Sequence, residues 1–357
     1  MSETSSEARL LRLEGWRKSG TGEGALTDCT LVVATFKRPK EIVVLLEKLT
    51  GLPDPPGEVV VVDGSPEDAS RQAVSEWAKT RAAAFDLVYV KSPTGLTRQR
   101  NVGVDASTKE LVFFLDDDCL PEPGYFREIR EVFRADAGEE VGAVCGSIVN
   151  EMGQRLTLRW RLRFLLGLVP RGESGKYYPT ATSVPRSLVR PFRGTRRVDM
   201  VPGGASAYRR RVFLQHRFSE FFTGYAQGED LEMSMRVGKT LKLLWCGDAH
   251  VNHFHVPVGR PSSFRKGRME VRNRFFIWKR YSSQARYADR IRFWLDIGYI
   301  FSVDLVSFLI RPRQVWNLSH ATGVAAAVVE CLLRPPRYDE PGAARQYEFT
   351  LVPLGEA

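Results

Sequence analysis

Three consecutive carboxylates, Asp116, Asp117 and Asp118, close an apolar run in the stretch FFLDDDCLPEPGYF at residues 113–126. At neutral pH their mutual repulsion is unfavourable unless water solvates them or a cation sits among them. Asp116 and Asp118, with one residue between them, can offer oxygens to a hard divalent ion. Such an ion can bridge to a diphosphate and neutralise its charge as that group departs. The same triplet also suits a solvated acidic loop tip, so the elements around it have to decide.

Other polar clusters stand at comparable places. VVATFKRP brings Thr35 and Arg38, and VVVDGSPED brings Asp63. TGLTRQRN brings Arg98 and Arg100, with Asn101 after them, beside an expected helix N-terminus that favours anionic oxygens. Asp63 repels phosphate in the absence of a cation, but a carboxylate suits a pyrimidine N–H or a ribose hydroxyl. A nucleoside diphosphate with one metal ion fits all four clusters. Later in the chain, HVNHFHV holds three of the five histidines, His250, His253 and His255. Alternation puts His253 and His255 on one strand face, as metal ligands or as a hydrogen-bonded structural pair. GEDLEMSMRV sets Glu229 and Asp230 at a helix start, where acids also serve simply as dipole partners.

The elements that must position these groups alternate. TLVVATF (30–36), EVVVVD, DLVYVKS (86–92) and ELVFFL (110–115) read as strands, with VGAVCGSIV (141–149) after them. Helical periodicity follows Pro39, recurs over about 67–80 and again in TRQRNVGVDAS. Such alternation implies parallel strands with crossover helices, buried on both faces, and ligands collect at the strands' carboxyl ends. The three clusters at Thr35–Arg38, Asp63–Ser65 and Asp116–Asp118 fall at those ends. Neither GxGxxG nor GxxxxGK[ST] is present, which removes a dinucleotide cradle and a P-loop.

Composition sets the outer limits. The 357 residues suffice for a full core, and the net charge of +10 favours anionic partners without choosing among them. Five scattered cysteines support neither a zinc ribbon nor a disulfide framework, and a reducing cytosol is expected. The polar start has no apolar core of a secretory signal.

In order and spacing, VVATFKRP, VVVDGSPED, GLTRQRNVGVDAS and FFLDDDCLPEPGYF resemble the family 2 glycosyltransferases of GT-A fold. VPGGASAYRRRVF, FFTGYAQGEDLEMSMRV and HVNHFHVPVGR continue the resemblance, which covers about residues 30–280. It implies a Rossmann-like, mixed but mainly parallel sheet flanked by helices, with a C-terminal helical extension. It implies an inverting transferase using Mn2+ or Mg2+ to move a sugar from a nucleotide-sugar donor, UDP- or dTDP-linked, to a hydroxyl. By the same resemblance Thr35 and Asp63 hold the base, with Val62 where the family often has a second acid. Arg38, Arg98, Asn101, Asp116 and Asp117 attend the nucleotide-sugar. Asp118 is the first metal ligand, with Asp116, His253 and His255 as further candidates. Asp230, with Glu229 as fallback, is the base for the acceptor hydroxyl. Gly203 and Gly204 wall the pocket on the acceptor side, in a tight turn expected to lead into a helix. The expected acceptor is a glycan or a lipid-linked hydroxyl in cell-surface polysaccharide synthesis.

This reading divides the chain into a polar extension (1–27), a nucleotide-sugar half (28–150), an acceptor and catalytic half (151–280) and a helical segment (281–357). Between Met152 and Phe218 the only acids are Glu173 and Asp199. Arg155, Arg159, Arg161 and Arg163, set among Leu, Trp and Phe, form a face for anionic lipid or an ordinary solvated one. Residues 171–197 read as a mobile loop that orders on donor binding. EVRNRFFIWKRY (270–281) reads as a basic-aromatic helix. FWLDIGYIFSVDLVSFLI (293–310) nearly reaches membrane-span length, but Asp296 and Asp304 interrupt it, so an interfacial or packing helix is expected. A second apolar helix over about 321–333 would pair with it, and the tail beyond Pro335 would be extended. The expected location is the cytoplasm, peripheral to the inner face of the membrane. Two rivals are a sugar nucleotidyltransferase, which would want a glycine-rich basic loop after the first strand, and a basic module binding membrane or nucleic acid. Acids gathered at strand ends argue against nucleic acid.

Overall fold

Strands built on apolar runs such as VVVV and LVFFL must be covered on both faces, and that requirement builds the molecule. The computed structural model describes residues 11–282, 285–337 and 347–355. Strand β1 (Leu11–Lys18) precedes β2 (Leu26–Thr35), α1 (Pro39–Thr50), β3 (Pro56–Asp63), α2 (Ala69–Thr80), β4 (Asp86–Lys91) and α3 (Leu96–Ala106). Next come β5 (Leu111–Asp116), the short β6 (Cys119–Pro121), α4 (Tyr125–Arg134) and β7 (Val141–Ile148). The second half adds α5 (Leu158–Leu165), β8 (Thr195–Val198), β9 (Ala205–Arg209), α6 (Glu229–Val237) and the long β10 (Lys242–His253). Three helices, α7 (Ser263–Tyr281), α8 (Tyr287–Ile310) and α9 (Val315–Leu333), then lead to β11 (Tyr347–Pro353).

The strands form one sheet in the order β11-β1-β4-β3-β2-β5-β9-β7-β10-β6, with β8 on β10. Its parallel centre, β4-β3-β2-β5, is the part read from the alternating runs, and antiparallel β9 joins it to the parallel pair β7 and β10. The mixed sheet, its flanking helices and the C-terminal helices agree with the expectation. Strand alternation splits the core. Leu31, Val33, Val59 and Val61 pack with Leu45, Trp77 and Phe126 on one face. Val32, Val60, Val62 and Phe114 pack with Val102, Met233 and Val237 on the other. Gly103 lets α3 lie close on β2, since a Cβ there would strike Val32.

Several expectations change. Residues 11–18, assigned to a polar extension, form a strand of the sheet beside β4: Leu13 and Trp16 are buried, and Trp16 stacks on Tyr89 at 5.6 Å. The first ten residues of that extension lie outside the described residues, as do 338–346 of the tail. Residues 347–353 of the tail are extended and pair in parallel with β1. Segment 171–197 packs against α7, where the Arg274 guanidinium donates to the carbonyls of Thr180 (2.9 Å) and Ala181 (3.1 Å).

The two acids that interrupt the apolar C-terminal run are compensated. Asp296, fully buried, lies between Arg163 (2.5 Å) and Arg274 (2.6 Å). Asp304 is held by Arg159 (3.4 Å) and by His320 Nδ1 (2.6 Å). Two arginines of the expected lipid-facing set are therefore internal partners of α8. Burial of a carboxylate is tolerated only with such pairing. The three C-terminal helices share their own core of Val271, Phe275, Phe293, Ile297, Val324, Ala327 and Cys331.

Candidate active site

The carboxyl ends of β2 and β5 and the end of β10 open into one cleft of about 990 Å³. Its floor is the turn between β5 and β6, where the Asp triplet divides its labour. Asp117 turns under the sheet edge: Oδ2 accepts from Thr35 Oγ1 (2.8 Å) and Oδ1 from Arg38 Nη1 (2.7 Å). Burial pushes its carboxyl up to about 7, against the pull of Arg38. Asp116 is the more open of the three, with 38% of its side chain exposed, and it meets Arg100 Nη2 at 3.2 Å. Asp118 is buried and lies 3.3 Å from His253 Nε2, with the Val256 N–H at 2.9 Å. Burial opposes its ionisation, yet those partners hold its pKa low, at about 2.

Asp116, Asp118, Cys119 and His253 bring one ligand atom each within 4.8 Å of one another. Burial keeps the Cys119 thiol protonated, so the hard-cation set is two carboxylates and an imidazole. His253 Nδ1 lies 3.0 Å from Glu151 Oε1, which leaves the Nε2 lone pair for an ion when the ring is neutral. Burial lowers the ring's proton affinity, but Asp118 and Glu151 outweigh it and raise the pKa to about 9. A cation would take over the compensating role of that proton. These donors fit a divalent ion by chemistry and by spacing. His255 lies against His253 with its ring tilted by 45° and bonds Glu151 (2.6 Å); Glu151, His253 and His255 form a second group of ligand atoms within 4.8 Å of one another, beside the Asp116–Asp118 cluster. It lies past the end of β10, with a φ of 53°.

Across the floor, α6 starts at Gly228 (φ 91°) and sets Glu229 and Asp230 in its first turn, where the helix dipole favours acids. Glu229 is buried and paired with Arg100 at 2.6 Å. Burial and the neighbouring Asp230 charge raise its pKa to about 8, against the pull of Arg100. Asp230 is half-buried, lines the cleft, and accepts from the Gly203 N–H (3.2 Å) and the Leu231 N–H (2.8 Å). The buried Arg100 guanidinium thus bridges Asp116 and Glu229.

Gly203 and Gly204 run between these groups. A Cβ on Gly203 would lie 2.8 Å from Arg100 Cζ, and one on Gly204 2.5 Å from Asp116 Cγ. The glycines are needed for close approach. Neither has a positive φ, and they lead into strand β9 rather than a helix.

Two expected nucleotide contacts point elsewhere. Arg98 pairs with Glu220 at 3.2 Å, and Asn101 bonds the Phe218 backbone through both amide atoms; neither lines the cleft. Asp63 is fully buried and already accepts from Ser65 N, Tyr89 Oη and Lys91 Nζ. Arg38 does line the cleft, and it also ties the carbonyls of Val256 and Val258 down over the acids, each at 2.9 Å.

Three residues in and around the cleft escaped the sequence reading. Glu151 orients His253, a relation created only when β10 pairs with β7. Gln99 clasps the carbonyls of Thr35 (2.8 Å) and Val62 (2.9 Å), locking the ends of β2 and β3. Gln227 lines the cleft with an Oε1 that has no hydrogen-bond partner among the described residues. None of residues 171–197 lines the cleft.

Comparison with known proteins bears on this geometry. A family model described as glycosyl transferase family 2 matches residues 30–217, just over half of the chain and short of the Glu229–Asp230 pair. Rat (Rattus norvegicus) polypeptide N-acetylgalactosaminyltransferase 13 is 24% identical over 212 residues, 55% of this chain and 35% of that protein. Human (Homo sapiens) polypeptide N-acetylgalactosaminyltransferase 15 is 24% identical over 226 residues, 58% of this chain and 33% of that protein. The chain spans about a third of the length of the curated relatives it matches. A mannosyltransferase from Pyrobaculum calidifontis, solved with GDP-Man and Mn2+, superposes with a TM-score of 0.53 at 17% identity. That match covers 87% of this chain and 88% of the other, a likeness of fold.

Proposed function

The chain belongs to glycosyl transferase family 2, and from that premise we propose that it is an inverting, metal-dependent transferase. The donor is a nucleoside-diphosphate sugar, UDP- or dTDP-linked, and the acceptor a hydroxyl of a glycan or lipid-linked saccharide in cell-surface polysaccharide synthesis. One observation carries the reading: the hard-cation cluster of Asp116, Asp118 and His253 lines the same cleft as Asp230, with Gly204 against Asp116 and the Gly203 N–H on Asp230. Mn2+ or Mg2+ at that cluster supplies the charge compensation that a departing diphosphate requires.

The remaining chemistry falls to the chain's own groups. Asp230 takes the acceptor hydroxyl's proton as its oxygen attacks the anomeric carbon on the face opposite the diphosphate. The bond from that carbon to the diphosphate breaks, and the electron pair leaves with the phosphate oxygen. The Gly203 and Leu231 N–H groups fix the rotamer of Asp230 so that its carboxylate meets the acceptor without reorganising. Arg100 holds Asp116 and Glu229 at their mutual distance. Gln227 Oε1 offers an acceptor to a sugar hydroxyl on the same wall.

The test is anomer-resolved NMR of sugar released or transferred from a panel of UDP-, dTDP- and GDP-sugars, with and without Mn2+. GDP belongs in the panel because Asp63 is fully buried and already accepts from Ser65, Tyr89 and Lys91, so it does not by itself select a pyrimidine. Metal-dependent turnover with inverted configuration supports the proposal, and retained configuration refutes it.

A further inference from the structure

Helix α8 has 24 residues and a mean hydropathy of 1.7 over its most apolar window, long and apolar enough by composition to cross a membrane. A core helix of that kind is covered by protein. Here only 22% of that window is buried. One run of exposed positions follows helical spacing: Tyr287, Ile291, Leu295, Gly298, Ser302, Val306 and Leu309. No charge falls in that stripe. The antiparallel neighbour α9 exposes a second uncharged stripe through Val315, Leu318, Thr322, Ala325, Val329 and Leu332. On α5, which clamps α8 through Arg159 and Arg163, Leu158, Leu165 and the following Leu166 are each at least 60% exposed. Burial of this much leucine and valine is favourable, and leaving it in water is not.

The charges are arranged to suit one occupant. All three acids of α8 are buried and paired, Asp289 with Arg286 and Arg292, and Asp296 and Asp304 with arginine and histidine clamps. At the turn between α8 and α9 stand Arg311 and Arg313, and at the far end of α9 stands Arg334, all exposed. None of these three has an acidic partner among the described residues. Arg161, Arg171 and Arg197, likewise without one, line a second cavity against Leu165 of α5. An apolar face rimmed by unpaired arginines complements acyl chains beneath anionic headgroups. A second protein copy would bring its own arginines to the same rim.

We propose that α8, α9 and α5 form an in-plane seat on an anionic lipid bilayer, entering the interface without crossing it. Crossing is opposed by α7, which packs along α9 with Gly267 against the His320 carbonyl and Gly323 against the Phe264 carbonyl. That close packing fixes a highly charged helix to the inner side of the pair.

The experiment is flotation of the full chain with phosphatidylcholine vesicles, with and without phosphatidylglycerol. Binding that requires phosphatidylglycerol, weakens with salt, and is released from native membranes by alkaline carbonate is the expected result. The double variant Leu295→Glu, Val306→Glu should lower vesicle binding at least about tenfold, with nucleotide-sugar hydrolysis in solution unchanged. On α9, Val329→Glu with Leu332→Glu provides a second variant should the first lose its circular-dichroism melt. Absence of binding to either vesicle overturns the proposal, whether the chain is monomeric or a dimer by ultracentrifugation. Resistance to carbonate extraction overturns the in-plane arrangement in favour of a span.

Discussion

Replacing Gly204 by alanine puts the positioning of Asp116 to a direct test. The new Cβ would lie 2.5 Å from Asp116 Cγ, and ordinary contact begins at 3.4 Å, so the carboxylate or the β9 entry must move by about 1 Å. Asp116 is the freer partner, with 38% of its side chain exposed, whereas β9 is buried throughout. The side chain therefore yields and the fold is kept, at a cost of about 1–2 kcal/mol. A displacement of about 1 Å at a metal ligand or reacting group lowers activity by roughly a hundredfold. The assay is metal-dependent donor hydrolysis beside a urea melt of the same preparation. A stable Gly204→Ala protein with wild-type turnover would refute the claim that Asp116 is held for chemistry by that glycine.

Other outcomes follow from the same structure. Asp296→Ala strands Arg163 and Arg274 in a buried site and should destabilise the fold by about 3–5 kcal/mol, read as a shift of the urea midpoint. Trp16→Ala removes a buried ring from Tyr89 and should cost about 3–5 kcal/mol; an unchanged melt would mean that β1 does not belong to the cooperative fold. His320, hydrogen-bonded to Asp304 and Glu270, has its pKa raised to about 9 from an unfolded value of about 6.5. Its stabilisation is complete below the unfolded value and lost as pH rises through about 9. The melting temperature should thus fall more steeply between those limits in the wild type than in His320→Gln, and equal slopes would contradict the pairing.

Much of this was legible from strand ends. Runs such as VVVV and LVFFL carry their own structure, and the polar residues after them could only gather at one edge of a parallel sheet. What the sequence concealed are relations made by distant pairing. Glu151 meets His253 because β7 and β10 are neighbours, and no local spacing encodes that. Arg98 and Arg100 sit two positions apart on α3 and so face different ways, one to Glu220 and one to the cleft. Asp63 was placed on the right strand end, but its Oδ2 is taken by Tyr89 and Lys91 of the neighbouring strand β4 and its Oδ1 by the Ser65 N–H. Asp296 and Asp304 read as obstacles to an apolar helix because their partners Arg163, Arg274 and His320 come from three other elements.

The most direct measurement is Mn2+ binding in the presence of a nucleoside diphosphate, followed by electron paramagnetic resonance of the free ion. The wild type and Asp230→Asn should bind one ion with similar affinity, while Asp118→Asn weakens binding by about 10–100-fold. Equal affinity in Asp118→Asn, or a loss confined to Asp230→Asn, would contradict the division of the cleft into a metal side and an acceptor side.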